Sequence, residues 1–181
     1  LLGVAYDKIY ILLTYKNMSG PRKDFLSWND TFMLMAFLIS ERSKEPSTRT
    51  GAVVVDENNV ILGLGYNGFP RGIETDDLPW GKETDDWTYT KYPYTVHAER
   101  NAIYNSNKSV KGGKVYCTLF PCNECAKTII QAGIKEVYYF DDKYINEEYS
   151  VAAKKLFDLA QVKYKKYTPT KKFVITDNDA K

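Results

Sequence analysis

The chain has 181 residues, of which 44% are hydrophobic and 27% charged, so its composition is that of a packed globular domain and not of a disordered segment. Its net charge of +2 is too weak to indicate a nucleic-acid partner, and no stretch reaches the roughly 20 apolar residues of a membrane span. Three cysteines, two of them in a C-x-x-C pair, argue against a secreted disulfide framework. They favour a metal site in a reducing compartment, which we expect to be the cytoplasm.

Residues 1–17 differ in character from the rest of the chain. They begin without methionine and carry an apolar patch, but they lack the basic stretch and the cleavage site of a signal peptide. Met18, followed by Ser19 and Gly20, is more typical of a native start. We therefore expect residues 1–17 to be an upstream extension outside the fold, and residues 18–181 to form a single domain.

Capping residues and hydrophobic periodicity predict an alternation of helices and strands. Asn29 and Asp30 can cap a first helix that runs to about Ser40 and ends before Pro46. The later elements are predicted at 51–55 and 60–66 (a hairpin of strands), 96–104 (helix), 114–119 (strand), 121–132 (helix), 137–140 (strand), 147–160 (helix), and 162–167 and 173–176 (short strands). The order α-β-β-α-β-α-β-α-β predicts an α/β protein in which helices cover a mixed sheet of about five strands.

A long loop separates the hairpin from the second helix and ends near Pro93. It is acidic at its centre and contains Pro79 and Trp80. Long loops in compact domains are either functional or disordered, and the proline and tryptophan favour an ordered, functional one.

The candidate metal ligands are few enough to be counted from the sequence. His97 is the only histidine in the chain, and Cys122 and Cys125 are two of its three cysteines. Imidazole and thiolate are common zinc ligands, and three of them leave the fourth tetrahedral position to water, as in catalytic zinc sites. Both sulfurs should share one face of a helix's first turn, with Pro121 at the first helical position. His97 lies in the first turn of the preceding helix, so we expect two helix N-termini to meet around one ion.

Glu99 follows the histidine by two residues and is a poor zinc ligand beside thiolates, which makes it the candidate proton carrier. The pattern H-x-E followed by P-C-x-x-C is the signature of zinc-dependent base deaminases, in which the glutamate is a general acid and base. Each piece alone has an ordinary explanation, but their combination favours a deaminase. Cys117 lies on a predicted strand five residues before Cys122, and we expect it to be a buried core residue. In the alternative, Cys117 is a fourth zinc ligand, the site is closed and structural, and the protein is a binding module.

From about residue 25 to residue 177 the sequence resembles the deoxycytidylate (dCMP) deaminase family, within the cytidine and deoxycytidylate deaminase superfamily. The resemblance rests on RSKEPST at 42–48, GAVVV at 51–55, GYNGFPRG at 65–72, HAERNAI at 97–103, TLFPCNECAK at 118–127 and IIQAGIKEV at 129–137. The zinc motif is common to the superfamily, whereas GYNGFPRG and LFPCNECAK narrow the resemblance to this family. Arg100 departs from the family, in which leucine is frequent at that position.

The resemblance implies a three-layer α/β/α, cytidine-deaminase-like fold with helices on both faces of the sheet. It implies hydrolysis of dCMP to dUMP and ammonia, which feeds thymidylate synthesis. The zinc ligands would be His97, Cys122 and Cys125, and the proton shuttle would be Glu99.

The resemblance also implies where the nucleotide binds. Asn67 would contact the sugar, and Ser47, Arg49 and Tyr144 are expected near the sugar or the 5′-phosphate, because a dianionic phosphate needs hydrogen-bond donors.

Regulation and assembly are implied by the family alone. Members are typically homohexamers that dCTP activates and dTTP inhibits, with Mg²⁺ on the triphosphate. Gly68 and Arg71 are expected in the effector region.

Other functions stay open on the sequence alone. The chain could deaminate free cytidine, dCTP or a nucleic-acid base, or it could be a zinc-stabilised binding protein without activity, against which the intact Glu99 argues. A nucleic-acid deaminase needs a basic groove, and only the lysines near the C-terminus could form one. Alternating strand lysines usually form a solvated face, so we expect neither a nucleic-acid nor a membrane partner; the residues concerned are Lys163, Lys165, Lys166, Lys171 and Lys172.

Overall fold

Helices and strands alternate along the chain in the predicted order. The structure, a computed structural model, describes residues 20–73, 76–172 and 174–175. Within these ranges the α-helices are α1 (Trp28–Ser40), α2 (Ala98–Tyr104), α3 (Asn123–Gln131) and α4 (Glu148–Leu159). The strands are β1 (Gly51–Val55), β2 (Ile61–Tyr66), β3 (Lys114–Leu119), β4 (Glu136–Asp141) and β5 (Lys163–Lys166), and the loop before α2 contains a short 3₁₀ helix (Trp87–Tyr89).

The five strands form one mixed sheet in the order β2-β1-β3-β4-β5. β1 is antiparallel to both β2 and β3, so that Val53 lies between Leu64 and Tyr116. β3 and β4 are parallel, as are β4 and β5, and α3 and α4 supply the crossovers that parallel neighbours require. β1 is buried along its whole length, as expected of a GAVVV strand covered on both faces.

Two apolar clusters, one on each face of the sheet, form the core. On one face, Phe32 and Met33 of α1 pack with Val53 and Tyr116. On the other, small and large apolar residues of α2, α3 and α4 pack against β1, β3 and β4, among them Ala102, Ile129, Phe157, Val54 and Val115. The predicted three-layer α/β/α architecture is confirmed, with one helix on one face and three on the other.

Two glycines of β2 bring α2 unusually close to the sheet. A Cβ atom on Gly65 would lie 2.2 Å from the Ala102 nitrogen and 2.3 Å from the Ala98 oxygen, and one on Gly63 would lie 2.2 Å from the Ala102 oxygen. Asn101 then donates a hydrogen bond of 2.7 Å from its side chain to the Tyr66 carbonyl. The start of α2, where His97 and Glu99 lie, is therefore fixed to the sheet by backbone contact.

The helix starts differ from the prediction by one to three residues. Ser27, and not Asn29 or Asp30, caps α1: its Oγ accepts a hydrogen bond of 3.0 Å from the Asp30 nitrogen. The Asp30 carboxylate is buried and instead accepts hydrogen bonds from Tyr167 and Thr170, far along the chain. A residue engaged in tertiary contacts at N3 is unavailable as the cap.

Whereas α1 begins earlier than predicted, the helices nearest the candidate ligands begin two residues later than predicted. His97 is the N-cap residue of α2 and Cys122 that of α3, so His97 is not within the first turn and Pro121 precedes the helix instead of opening it. Boundaries of this kind are set by backbone dihedrals that a sequence pattern does not resolve.

Some predictions fall at or beyond the limits of the described residues. Of the predicted strand 173–176, only residues 174 and 175 are described, and they are not in a strand. The predicted extension at 1–17 lies outside the described residues, so the domain limits 18–181 stay a prediction. No helix within the described ranges is long and apolar enough to cross a bilayer.

Candidate active site

Three side chains suited to zinc converge at the start of α2 and α3. His97 Nδ1 lies 3.4 Å from Cys122 Sγ and 3.4 Å from Cys125 Sγ, and the three ligand atoms all lie within 4.8 Å of one another. Tetrahedral zinc with its usual bond lengths separates nitrogen and sulfur ligands by about 3.5 Å. The arrangement therefore fits a single zinc ion.

The local folding of both helices explains how these side chains meet. His97 and Cys122 are N-cap residues with extended backbone, and neither makes a side-chain capping hydrogen bond. Their side chains are therefore free to extend beyond the helix ends, where Cys125, on the first turn of α3, joins them. The expectation that two helix N-termini meet at this point is confirmed, and their dipoles favour thiolate charge there.

The pKa values of the two thiols shift in opposite directions. The hydrogen bond from Cys125, together with the His97 imidazole, lowers the pKa of Cys122 to about 4, so this sulfur is a thiolate at neutral pH. The hydrogen bond to Cys122 and burial raise the pKa of Cys125. The hydrogen bond with Cys122 raises the pKa of His97. Binding a metal ion releases the protons that the cysteine thiols and the histidine still hold, because zinc requires thiolate and neutral imidazole.

Glu99 lies next to the cluster without belonging to it. Its side chain is buried, and Cys125 Sγ donates a hydrogen bond of 3.4 Å to Glu99 Oε2. Burial raises the pKa of Glu99 above its ordinary value. A carboxyl group with a raised pKa beside a metal site can both accept and return a proton.

Cys117 is separate from the three converging ligands. It is 1% exposed on β3, its Sγ donates a hydrogen bond of 3.5 Å to the Tyr138 carbonyl, and burial raises its pKa well above the usual value. These contacts support its assignment to the core.

A cavity of about 590 Å³ opens beside the three ligands, within the range of small-molecule sites. Its walls come from the segment before β1, the long loop before α2, the N-termini of α2 and α3, and the loop after β4. The polar and aromatic lining residues include Glu45, Thr48, Asn67, Lys82, Lys91, Tyr92, His97, Glu99, Arg100, Tyr144 and Tyr149.

The residues predicted at the nucleotide fall into two groups. Asn67 and Tyr144 line the cavity, whereas Ser47 and Arg49 are not among its lining residues. Arg49 is half-exposed and forms an ion pair of 2.6 Å with Glu41 on the surface.

Asn67 is engaged with the protein backbone. Its Oδ1 accepts hydrogen bonds of 2.8 Å from Ser43 Oγ and of 2.8 Å from the Thr50 nitrogen, and its Nδ2 donates to the Thr48 carbonyl at 2.9 Å. The side chain thus holds the segment before β1 in place, a structural role that the sequence did not indicate.

The residues predicted for the effector region lie apart from the cavity lining. Gly68 pairs with Val96 as an isolated antiparallel bridge. Arg71 is exposed, and its guanidinium donates a hydrogen bond to Asn105 at the end of α2.

Sequence reasoning missed a buried ion pair in the cavity wall. Lys91 Nζ lies 2.6 Å from Glu45 Oε1, and the two side chains are 10% and 1% exposed. Both residues lie in loops without hydrophobic periodicity, so nothing in the pattern indicates that they pair.

Comparison with known proteins gives a consistent assignment. Residues 26–141 match the family model of the cytidine and deoxycytidylate deaminase zinc-binding region. The chain is 51% identical over 160 residues to the deoxycytidylate deaminase of Mus musculus, covering 88% of this chain and 90% of that protein. It is 48% identical over 160 residues to the deoxycytidylate deaminase of Homo sapiens, with the same coverage of 88% and 90%.

A solved structure shows the same fold. The dCMP deaminase of the cyanophage S-TIM5, crystallised in complex with dCMP and dUMP, is 30% identical and superposes with a TM-score of 0.61 over 76% of this chain and 95% of that chain. The family match runs from α1 to β4 and includes the N-termini of both helices at the site. On this evidence the chain belongs to the cytidine and deoxycytidylate deaminase family.

Proposed function

We propose that this protein catalyses the zinc-dependent hydrolytic deamination of dCMP to dUMP and ammonia. The observation that carries the proposal is the convergence of one imidazole and two sulfurs, with buried Glu99 beside them, in a cavity large enough for a nucleotide. The names of the relatives and the nucleotides bound by the phage enzyme support dCMP as the substrate.

His97, Cys122 and Cys125 would hold the metal. Zinc bound by three protein ligands supplies an activated water at its fourth position. The remaining work falls to Glu99, which accepts the proton of the attacking water and returns protons to the ring nitrogen and the departing amine. Its burial suits it to this exchange, because a raised pKa brings the carboxyl group closer to the operating pH.

We infer that the phosphate end of the substrate lies near Tyr144. Burial raises the pKa of Tyr144, but the hydrogen bond with Thr48 and the charges of Lys143 and Lys82 outweigh it and lower the pKa below its usual value. Lys143 Nζ lies 4.8 Å from the centre of the Tyr144 ring and Lys82 lines the cavity, and the positive charges of both suit a dianionic phosphate. Ser47 and Arg49 would contact the same phosphate end, and Arg49 would first break its ion pair with Glu41. Asn67 would contact the sugar through the side-chain N–H that does not bond to the Thr48 carbonyl.

The proposal also covers regulation, assembly and metabolic role. It includes regulation by dCTP and dTTP, Mg²⁺ bound with the triphosphate, a homohexamer and a role in thymidylate supply. The pairing of Gly68 with Val96 supports an effector role for the loop around Gly68 and Arg71, since Val96 directly precedes His97. Allostery requires that an effector bind two states of the protein with different affinities. Measuring dCMP turnover with each triphosphate, and the mass of the assembly in solution, tests this part.

The central experiment is a dCMP deamination assay on zinc-loaded protein, with cytidine and single-stranded DNA as competing substrates. We expect turnover of dCMP and a preference for it over cytidine. Glu99→Gln should retain zinc and lower kcat by about 10²- to 10⁴-fold, the usual contribution of a general acid–base. Absence of dCMP turnover by the wild type, or near-normal turnover by a zinc-loaded Glu99→Gln protein, would refute the proposal.

A further inference from the structure

The buried ion pair in the cavity wall contains a carboxylate oxygen without a partner. Glu45 is 2% exposed and Lys91 8% exposed, and both line the cavity. Glu45 Oε1 accepts hydrogen bonds from Lys91 Nζ at 2.6 Å and from the Ser47 nitrogen at 2.9 Å. In the part of the chain that the structure describes, Glu45 Oε2 is buried and has no hydrogen-bond partner.

This oxygen is charged as well as buried. Burial raises the pKa of Glu45, but the bonds from Lys91 and Ser47 outweigh it and hold the pKa below its usual value. A buried carboxylate oxygen that accepts no hydrogen bond is costly, and such groups call for an explanation. Because Glu45 lines the cavity, a bound ligand that carries a donor can supply the partner that this oxygen lacks.

The chemistry of the proposed substrate limits which donor this can be. A cytosine deoxynucleotide has two kinds of donor, the exocyclic amino group and the 3′-hydroxyl, since its phosphate is anionic and acts as an acceptor. The amino group must lie at Glu99 and the three ligands, where it departs. An anionic phosphate would be repelled by the free carboxylate oxygen.

We propose that Glu45 is a specificity-determining residue whose Oε2 accepts a hydrogen bond from the 3′-hydroxyl of the deoxyribose. Lys91 is a positioning residue, which holds Glu45 through Oε1 and leaves Oε2 for the sugar. The inference rests on the proposed deamination of dCMP and names the group that distinguishes a 2′-deoxynucleotide from a 2′,3′-dideoxynucleotide.

The test compares dCMP with 2′,3′-dideoxycytidine 5′-monophosphate on zinc-loaded protein. The ratio of kcat/KM for the two nucleotides should favour dCMP by about tenfold to a hundredfold, the range that a hydrogen bond to a charged group provides. Glu45→Gln should reduce this ratio to near unity, and Lys91→Met should also lower it. Glu57→Gln, the same change at an exposed position in the β1–β2 turn, should leave the ratio as in the wild type.

The outcomes separate this inference from the proposed function. If dCMP turns over and both nucleotides are processed alike, or if Glu45→Gln retains the wild-type ratio, the inference is wrong while the deaminase assignment stands. Lack of dCMP turnover counts against the assignment itself. Should Glu45→Gln fail to fold, calorimetry on the wild type decides, because dUMP must then bind about tenfold or more tightly than 2′,3′-dideoxyuridine 5′-monophosphate.

Discussion

The carboxylate of Asp30 should make the fold sensitive to acid, and the structure allows the size of the effect to be worked out. Asp30 is 3% exposed and accepts hydrogen bonds from Ser27, Tyr167 and Thr170. Burial raises its pKa, but these bonds outweigh burial and lower the pKa from 3.8 to about 2. A shift of this size corresponds to about 2 kcal/mol of stability from the ionised group.

The sign follows from which state holds its proton more tightly. The unfolded chain binds the proton more tightly than the folded one, so the contribution is complete above about pH 5 and is lost as the pH falls toward 2. The amide in Asp30→Asn approximates the protonated carboxyl group. We therefore expect Asp30→Asn to lower the free energy of unfolding by about 2 kcal/mol at pH 7, by about 1 kcal/mol at pH 3, and by well under about 1 kcal/mol at pH 2.

Urea unfolding of the two proteins across this pH range measures the difference directly. Because the zinc ligands and the other carboxylates are common to both proteins, their titration cancels in the comparison. Asp85→Asn, the same change at an exposed loop position, should show no such trend. A wild-type-minus-variant difference that stays constant between pH 7 and pH 2 would contradict the reasoning, since it would mean that the lost stability does not depend on the charge of Asp30.

Three further predictions follow from packing and metal binding. Gly65→Ala should destabilise the fold by about 1–3 kcal/mol, because its Cβ would lie 2.2 Å from the Ala102 nitrogen, whereas Gly81→Ala, with no atom within 4 Å, should change stability by less than about 0.5 kcal/mol; equal urea midpoints for the two would count against the close approach of α2. Phe157→Ala removes a fully buried ring and should cost about 3–5 kcal/mol by the same measurement, and a loss below about 1 kcal/mol would show that the ring is not in the core. Removal of zinc with a chelator should lower the Tm, and restored zinc should recover it, because an ion that binds only the folded state adds to its stability; an unchanged Tm would argue against a bound ion.

The elements of this fold could be predicted because their signals are local. GAVVV at 51–55 is a β-branched run that becomes a strand buried on both faces, and the order of the other elements also agrees with the prediction. The cap of α1 could not be predicted so well, because Asn29, Asp30 and Ser27 are all capping residue types. Which of them caps the helix depends on Thr170, whose backbone nitrogen lies 140 residues later in the chain and donates a hydrogen bond to the Asp30 carboxylate.

The candidate site, too, could be predicted from the sequence only in part. The metal ligands could be named from the sequence because histidine and cysteine are rare in this chain and their spacing is specific. The wall of the cavity could not, since Glu45 and Lys91 are common residue types in two loops that meet only in the folded chain. Asn67 illustrates the difference, because its family motif predicts a ligand contact while its amide also holds the backbone at Thr48 and Thr50.

At the N-termini of α2 and α3, local helix propensity and the requirements of the candidate metal site oppose each other. Histidine and cysteine are poor N-cap residues, and a missing cap costs about 0.5–2 kcal/mol, so local propensity alone disfavours both starts. An uncapped start is not diagnostic by itself, because Glu147 also makes no side-chain capping bond at α4. What distinguishes α2 and α3 is that the two uncapped residues point toward each other, with Cys122 Sγ and Cys125 Sγ each 3.4 Å from His97 Nδ1. Two neighbouring helices both lack a side-chain cap, and the side chains that could have capped them converge. Such a departure from local propensity is typical of a site in which binding takes precedence over helix stability.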